Sequence, residues 1–145
     1  GISDTFKIEL RDSTGCLIDL TSFRNQASYL RQNSVLFEGT ASENVSWFAP
    51  SSEECLQQLL NTVRFPQDQT NTQIAHLSGG QRQRLLIART LFIDRELIIM
   101  DEPFTGLDIP SINIILDEMK LKNPNKIIVF THHGEISSSV KKVTL

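Results

Sequence analysis

The sequence has no stretch approaching the roughly 18 consecutive apolar residues that a membrane-crossing helix requires, so no span is predicted and any work at a membrane would depend on another segment. It has no excess of positive charge either. Its 14 lysines and arginines stand against 17 aspartates and glutamates, a net charge of -3, which excludes a broad positive field able to hold DNA or RNA and makes any phosphate chemistry local. Cysteine is scarce: Cys16 and Cys55 lie far apart with no C-x-x-C or Cys/His ligand spacing, so neither a zinc site nor a disulfide framework is predicted, and a reducing, cytosolic setting fits best. Internal repeats, low-complexity runs and a signal-peptide pattern ahead of the first strand-like stretch are missing as well. What is there is a chain of 145 residues, 39% hydrophobic and 21% charged, ordinary for a globular unit with one core.

The opening "FKIELRDSTGCLIDL" reads as alternating strand material broken by an S-T-G turn, and "ASYLRQNSVLFEGT" as a short strand ending near Arg31 and Gln32, followed by a polar turn. The character changes over residues 40–71. "TASE" at Thr40 and "SSEE" at Ser51 each match the S/T-x-x-E capping box, and the second precedes Leu56, Leu59, Leu60 and Val63 at helical spacing, so two short helices are predicted. Pro66 and "QDQTNTQ" then predict a loop. From Leu77 the pattern is regular. A helix should run from Gly79 or Gly80 to Phe92, with Leu85, Ala88 and Leu91 as its buried stripe and Arg82 and Arg84 on the wet face. "ELIIMD" is a short continuous apolar run of the kind parallel strands make when both faces are covered. The turn "EPFTGLD", a helix over 111–122, a loop containing Pro124 and the strand "KIIVFT" follow, and "KKVTL" reads as a last strand. Strand, helix and strand at this spacing make a right-handed crossover, so the two strands should be parallel with their carboxyl ends on one rim, where open sheets bind ligands.

Beyond the first of these strands lie Asp101, Glu102 and Pro103, and beyond the second His132 and His133. A lone strand-end acid more often caps a turn, and a lone histidine there is more often structural. Together, two carboxylates and an imidazole on one rim suit hydrolysis of a phosphoanhydride: one acid for Mg²⁺, one to orient or deprotonate a water, and the imidazole for the transferred phosphoryl group. A metal site at His133 and Glu135 is disfavoured, because adjacent histidines on an extended chain point to opposite faces. The stretch "HLSGGQRQR" carries the second chemical signal. Ser78 with Gln81 forms an S-x-x-Q capping box that starts the helix at Gly79. Gly79 and Gly80 leave the first amides bare, so an anion can approach them and the positive end of the helix dipole. Two glycines cost a helix about 1 kcal/mol each relative to alanine, which a purely structural helix has little reason to accept.

These residues resemble one family. "LSGGQ" from Leu77 through Gln81, then "RQR" and "ELIIMDEP", is similar to the signature motif and Walker B strand of an ABC ATPase domain. Gln32 in "LRQNSVLFEGTASENV" is similar to the Q-loop glutamine and the segment after it in exporter-type domains, "TGLD" ending in Asp108 to the D-loop, and His132 falls at the switch histidine. Five motifs in the family's order cover nearly the whole chain. The resemblance implies an α/β fold with a parallel-sheet P-loop NTPase-like core, truncated, and a small helical subdomain over residues 40–76 between the Q-loop and the signature motif, in a single partial domain over residues 1–145. It implies ATP and Mg²⁺ as ligands, a second ABC ATPase domain as head-to-tail dimer partner, the transmembrane domain of a transporter as the other partner, no nucleic acid, and a place on the cytoplasmic face of a membrane. By position, Asp101 would serve Mg²⁺, Glu102 would polarise the attacking water, His132 would contact the γ-phosphate, and Gln32 would link the metal site to the membrane-spanning partner. Asp108 would cross the dimer seam, while Ser78, Gly79, Gly80 and Gln81 would grip the nucleotide bound across it.

The sequence departs from the family in one respect that matters. No G-x-x-x-x-G-K-[S/T] loop is present, and with it the amide cradle, the phosphate-binding lysine and an Mg²⁺-binding hydroxyl are missing. The opening "GISDTF" is at most the tail of such a loop, with Ile2 where lysine belongs. Millimolar binding needs about 4 kcal/mol, and an exposed helix dipole offers an anion only about 0.3–1 kcal/mol. The chain alone is therefore expected to bind ATP poorly or not at all. Two other readings stand beside an exporter ATPase: a silent half-site that lends its signature turn to an intact partner, against which Glu102 and His132 speak, and a soluble ABC ATPase acting on nucleic acid, against which the acidic charge speaks.

Overall fold

A computed structural model describes residues 27–131 continuously, together with the strand residues 10–11, 17–18 and 143–144. The first two strands, β1 (Leu10–Arg11) and β2 (Leu17–Ile18), are antiparallel with Leu10 opposite Ile18, as the interrupted alternation predicts. The second sheet has the order β3 (Ala27–Leu30), β4 (Leu97–Asp101), β5 (Ile127–Thr131) and β6 (Val143–Thr144). β3, β4 and β5 run parallel and β6 returns antiparallel along β5. This is the parallel-sheet α/β core that the sequence predicts. β4 is buried from Leu97 to Met100, which explains its unbroken apolar run: Ile98 and Met100 enter the core cluster with the helices, Leu97 and Ile99 are buried on the opposite face, and no side is left for a polar residue until Asp101.

Four helices pack around this sheet: α1 (Ala41–Val45), α2 (Glu53–Thr62), α3 (Gly79–Phe92) and α4 (Ile109–Lys122). Thr40 caps α1 in the predicted box, its hydroxyl accepting from Glu43 N while Glu43 Oε2 accepts from Thr40 N at 2.7 Å. α2 begins one residue later than predicted. Ser52, not Ser51, is its N-cap, with Oγ accepting from Cys55 N at 3.2 Å, and this register brings both Glu53 and Glu54 into the first turn, where the helix dipole favours them. The stretch expected to be a loop after Pro66 contains two short 3-10 turns, Gln67–Gln69 and Ile74–His76, tied back by a bridge between Thr40 and Gln73. α4 starts two residues earlier than predicted, because Asp108 caps it and Pro110 in the first turn already has a helical φ.

α3 runs over the predicted residues, but its burial is wider than one stripe. Every residue from Leu85 to Leu91 is buried, including Arg89 and Thr90, since α1, α2 and β3 all pack on it. One apolar cluster joins these elements, with Val45, Leu60, Val63, Leu85, Ile98, Ile115 and Met119 at its centre. Arg84 is a correction to the expected wet face. It is half-buried, its Nη1 donating to the carbonyls of Val63 at 3.0 Å and Arg64 at 3.3 Å, and its Nη2 donating to Ser111 Oγ at 2.9 Å. A guanidinium with five fixed donors can join the carboxyl end of α2 to the start of α4 in this way; a single apolar side chain cannot.

Ser111 passes that link on to Asp108. Asp108 Oδ1 accepts from Ser111 N at 2.9 Å and Oδ2 from Ser111 Oγ at 2.8 Å. The Ser111 backbone bond, then the Ser111 hydroxyl, hold the Asp108 carboxyl below its ordinary range. A depressed carboxyl contributes stability above its unfolded pKa and loses it as pH falls through the folded value. Ser111→Ala is expected to raise the Asp108 midpoint toward that of an ordinary aspartate, measured by carboxyl-carbon NMR titration; an unmoved midpoint would remove the hydroxyl from this account.

Candidate functional site

The carboxyl ends of β3 and β4 bring two candidate residues together. Leu30 pairs with Met100, so Gln32 and Glu102 lie two residues past the same rung, and Gln32 Nε2 reaches Glu102 Oε2 at 3.4 Å across 70 residues of sequence. Asp101 ends β4 opposite Thr131 of β5. His132 follows Thr131 directly and lies outside the described residues. Arg31, Gln32, Asn33, Ser34 and Asp101 line a shallow, open depression on this rim. Its floor is shaped by a tight turn in which Ser34 N donates to Arg31 O at 3.0 Å and Arg31 N to Ser34 Oγ at 3.1 Å. Carboxylate, amide and hydroxyl oxygens are the donor set of a hard cation such as Mg²⁺. Among the described residues no three His, Cys, Asp or Glu side chains cluster as a metal cage.

Glu102 has a φ of 47°, in the left-handed region that a non-glycine residue enters at a cost of about 1–3 kcal/mol. Its carbonyl is held there by Thr105, whose N and Oγ1 donate to it at 3.3 and 3.1 Å. In a continuing strand, residues 101 and 102 would point to opposite faces. The left-handed step breaks that alternation and leaves the Glu102 side chain within reach of Gln32 on the rim.

The turn at Ser78 is built as the capping box requires. Ser78 Oγ accepts from Gln81 N at 3.2 Å and Ser78 N donates to Gln81 Oε1 at 2.8 Å. Gln81 is further engaged, its Nε2 donating to Gln69 Oε1 at 2.7 Å. Gly79 and Gly80 have no positive φ, and neither is needed as glycine by its neighbours. A Cβ at Gly79 would meet nothing within 4 Å, and one at Gly80 would make ordinary contact with Leu107 Cδ2 at 3.5 Å and Gly106 O at 3.6 Å. Among the described residues nothing requires two bare positions here. The same turns of α3 rest on the loop after Glu102, with Gln83 Nε2 donating to Pro103 O at 2.7 Å.

One group was not singled out from the sequence. Arg89, 5% exposed, lies with its guanidinium carbon 4.4 Å from the Trp47 ring centroid and 5.4 Å from that of Phe37. Its Nη2 donates to Val35 O at 2.8 Å, while Nη1 is buried with no partner. Burial pulls its pKa below the ordinary arginine value, although a guanidinium remains charged. Phe37 is itself fixed by the buried Asn44, which accepts from Phe37 N at 2.8 Å and donates to Phe37 O at 3.0 Å. Around this clamp Val35, Phe37, Trp47 and Phe48 form an exposed apolar surface. The available signal was a single arginine inside the apolar run "LLIARTLF", which periodicity alone assigns to no partner.

A family model described as ABC transporter matches residues 2–105. The chain is 35% identical over 127 residues to an uncharacterized ABC transporter ATP-binding protein of Haemophilus influenzae, covering 80% of this chain and 22% of that protein. It is 29% identical to the ATP-dependent permease MDL1 of Candida albicans, covering 89% and 23%, and 30% identical to the lactococcin-G-processing and transport ATP-binding protein LagD of Lactococcus lactis, covering 87% and 20%. The chain thus spans less than a quarter of each of these relatives. Among solved structures, a dimeric ATP-binding cassette in a post-hydrolysis state with ADP and Pi superposes with a TM-score of 0.66 at 29% identity, covering 79% of this chain and 56% of that one. A bacterial Atm1-family ABC exporter with ATP bound superposes with a TM-score of 0.67 at 24% identity, covering 86% and 24%, a likeness of fold. With the family model matching residues 2–105, more than half of this chain, and with the parallel α/β sheet described above, the chain belongs to the ABC transporter family as a nucleotide-binding domain.

Proposed function

We propose that this chain is the part of an ABC exporter that hydrolyses ATP at a head-to-tail interface with a second ATPase domain, on the cytoplasmic face of a membrane. The observation that carries the reading is the rim itself: Gln32 and Glu102 in hydrogen-bond reach, with Asp101 beside them at the end of the buried strand. Asp101 and the Gln32 amide are the groups that would hold Mg²⁺, which when bound neutralises charge on the phosphate oxygens. Glu102 orients and polarises the attacking water, and Gln32, bonded to it, sets where that carboxylate points. His132 would contact the γ-phosphate. The amides at Gly79 and Gly80, with the Ser78 hydroxyl and Gln81, would face the nucleotide of the opposite subunit, and Asp108 would lie at the seam.

The exposed surface of Val35, Phe37, Trp47 and Phe48 supports the transmembrane domain as the other partner. Its Phe37 and Trp47 rings touch, and Val35 and Phe37 follow Gln32 within five residues, so a contact made there lies close along the chain to the catalytic rim. The relatives' names include an ATP-dependent permease and a lactococcin-G-processing and transport protein, which supports transport as the process; they leave the cargo open.

Three outcomes test this. Isothermal titration of the 145-residue chain with Mg-ATP is expected to give no saturable micromolar binding, because the lysine-bearing phosphate loop is not in it; such binding would contradict the assignment of the missing affinity to that loop. In an assembled transporter containing this chain, Glu102→Gln should stop steady-state hydrolysis while leaving nucleotide-dependent dimerisation; unchanged turnover would take Glu102 out of its role. Gly79→Ala should raise the midpoint of thermal unfolding, by up to about 1 kcal/mol of helix preference, and yet weaken nucleotide-dependent dimerisation. A variant that is more stable and dimerises as before would mean that nothing approaches the bare amides.

A further inference from the structure

Arg89 is costly where it stands. Among the described residues no carboxylate pairs with it, one of its terminal nitrogens has no partner, and a buried donor left unmade is destabilising. The aromatic faces beside the guanidinium offset part of that. For packing alone an apolar side chain of similar volume would do as well or better. An arginine differs from such a side chain in being directional: its guanidinium carbon stands over two rings and its Nη2 donates to the Val35 carbonyl, so three contacts tie Val35, Phe37 and Trp47 to α3.

The two ends of this clamp are both distinctive. On one side are Trp47 and Phe48, with φ of 54° and 58°, a strained pair that presents the exposed apolar surface. On the other side Arg89 belongs to α3, about 14 Å along the helix axis from Gly80. Because α3 is buried without interruption from Leu85 to Leu91, a shift imposed on Arg89 cannot be absorbed by its neighbours and passes to the helix as a body.

We infer that Arg89 is a positioning residue: through its clamp between Phe37 and Trp47 it makes the placement of the signature turn at Ser78, Gly79 and Gly80 depend on contact at the exposed aromatic surface. The inference rests on the docking reading above for its purpose, and its test needs neither nucleotide nor partner, so the two can fail separately. The amide resonances of Gly79 and Gly80 in the full 145-residue chain are compared by heteronuclear NMR among Trp47→Ala, Arg89→Met, the double variant, Trp47→Phe and Phe48→Ala. The expected result is a common displacement of both glycine amides in Trp47→Ala and Arg89→Met, no larger in the double variant than in either single one. Trp47→Phe, which keeps a ring over the guanidinium, should restore the native positions, and Phe48→Ala, equally exposed but outside the clamp, should leave them unmoved. Should Arg89→Met fail to fold, the Trp47 and Phe48 variants decide alone. Glycine amides unmoved in folded Trp47→Ala, displaced as much by Phe48→Ala, or displaced additively in the double variant would overturn the inference.

Discussion

The parallel register of β3 and β4 is the constraint on which the site depends. Because Leu30 stands opposite Met100, the two chains leave the sheet in step, and Gln32 and Glu102 meet beyond it. A slip of one residue in β3 would turn its buried Ser28 and Leu30 toward the exposed side and separate that pair at the same time. The register is in turn fixed by burial. Ile98 and Met100 have no exposed surface, so the apolar core holds the strand in the one alignment that fills it, and the polar rim inherits its geometry from packing several residues away.

The glycines of the signature turn are set by a different logic. Elsewhere in the chain glycine answers a backbone need: Gly39 and Gly106 have φ of 136° and 79°. Gly79 and Gly80 answer none, and the helix they begin is held instead by the Ser78 cap and by burial farther along. The start of α3 is therefore stabilised by interactions that leave its outer surface clear. The same division of labour recurs at Asp108, where the cap of α4 is tied through Ser111 and Arg84 to the end of α2.

Where the sequence was legible, the physics was local. The capping boxes at Thr40 and Ser78, the doubly covered strand at Leu97 to Met100 and the crossover to β5 each follow from residues within one or two turns of each other. The choice of Ser52 over Ser51 was not legible, since both serines satisfy the cap chemistry. Nor were the partners of Arg84 and Arg89, which come from carbonyls and rings 20 or more residues away. Family likeness singled out Gln32 and Glu102 separately, and their meeting came only with the strand register, while His132 stands outside the described residues and keeps its place as an expectation.

The left-handed step at Glu102 has a consequence for what may occupy that position. Judged by backbone preference, the site would select glycine or asparagine, for which positive φ is inexpensive. A long acidic residue there runs against conformational preference, held by two bonds from Thr105. Its conformation is therefore set by its neighbours and not by its own preference, and replacing it with glycine or asparagine would ease the backbone at this point only by discarding the charge.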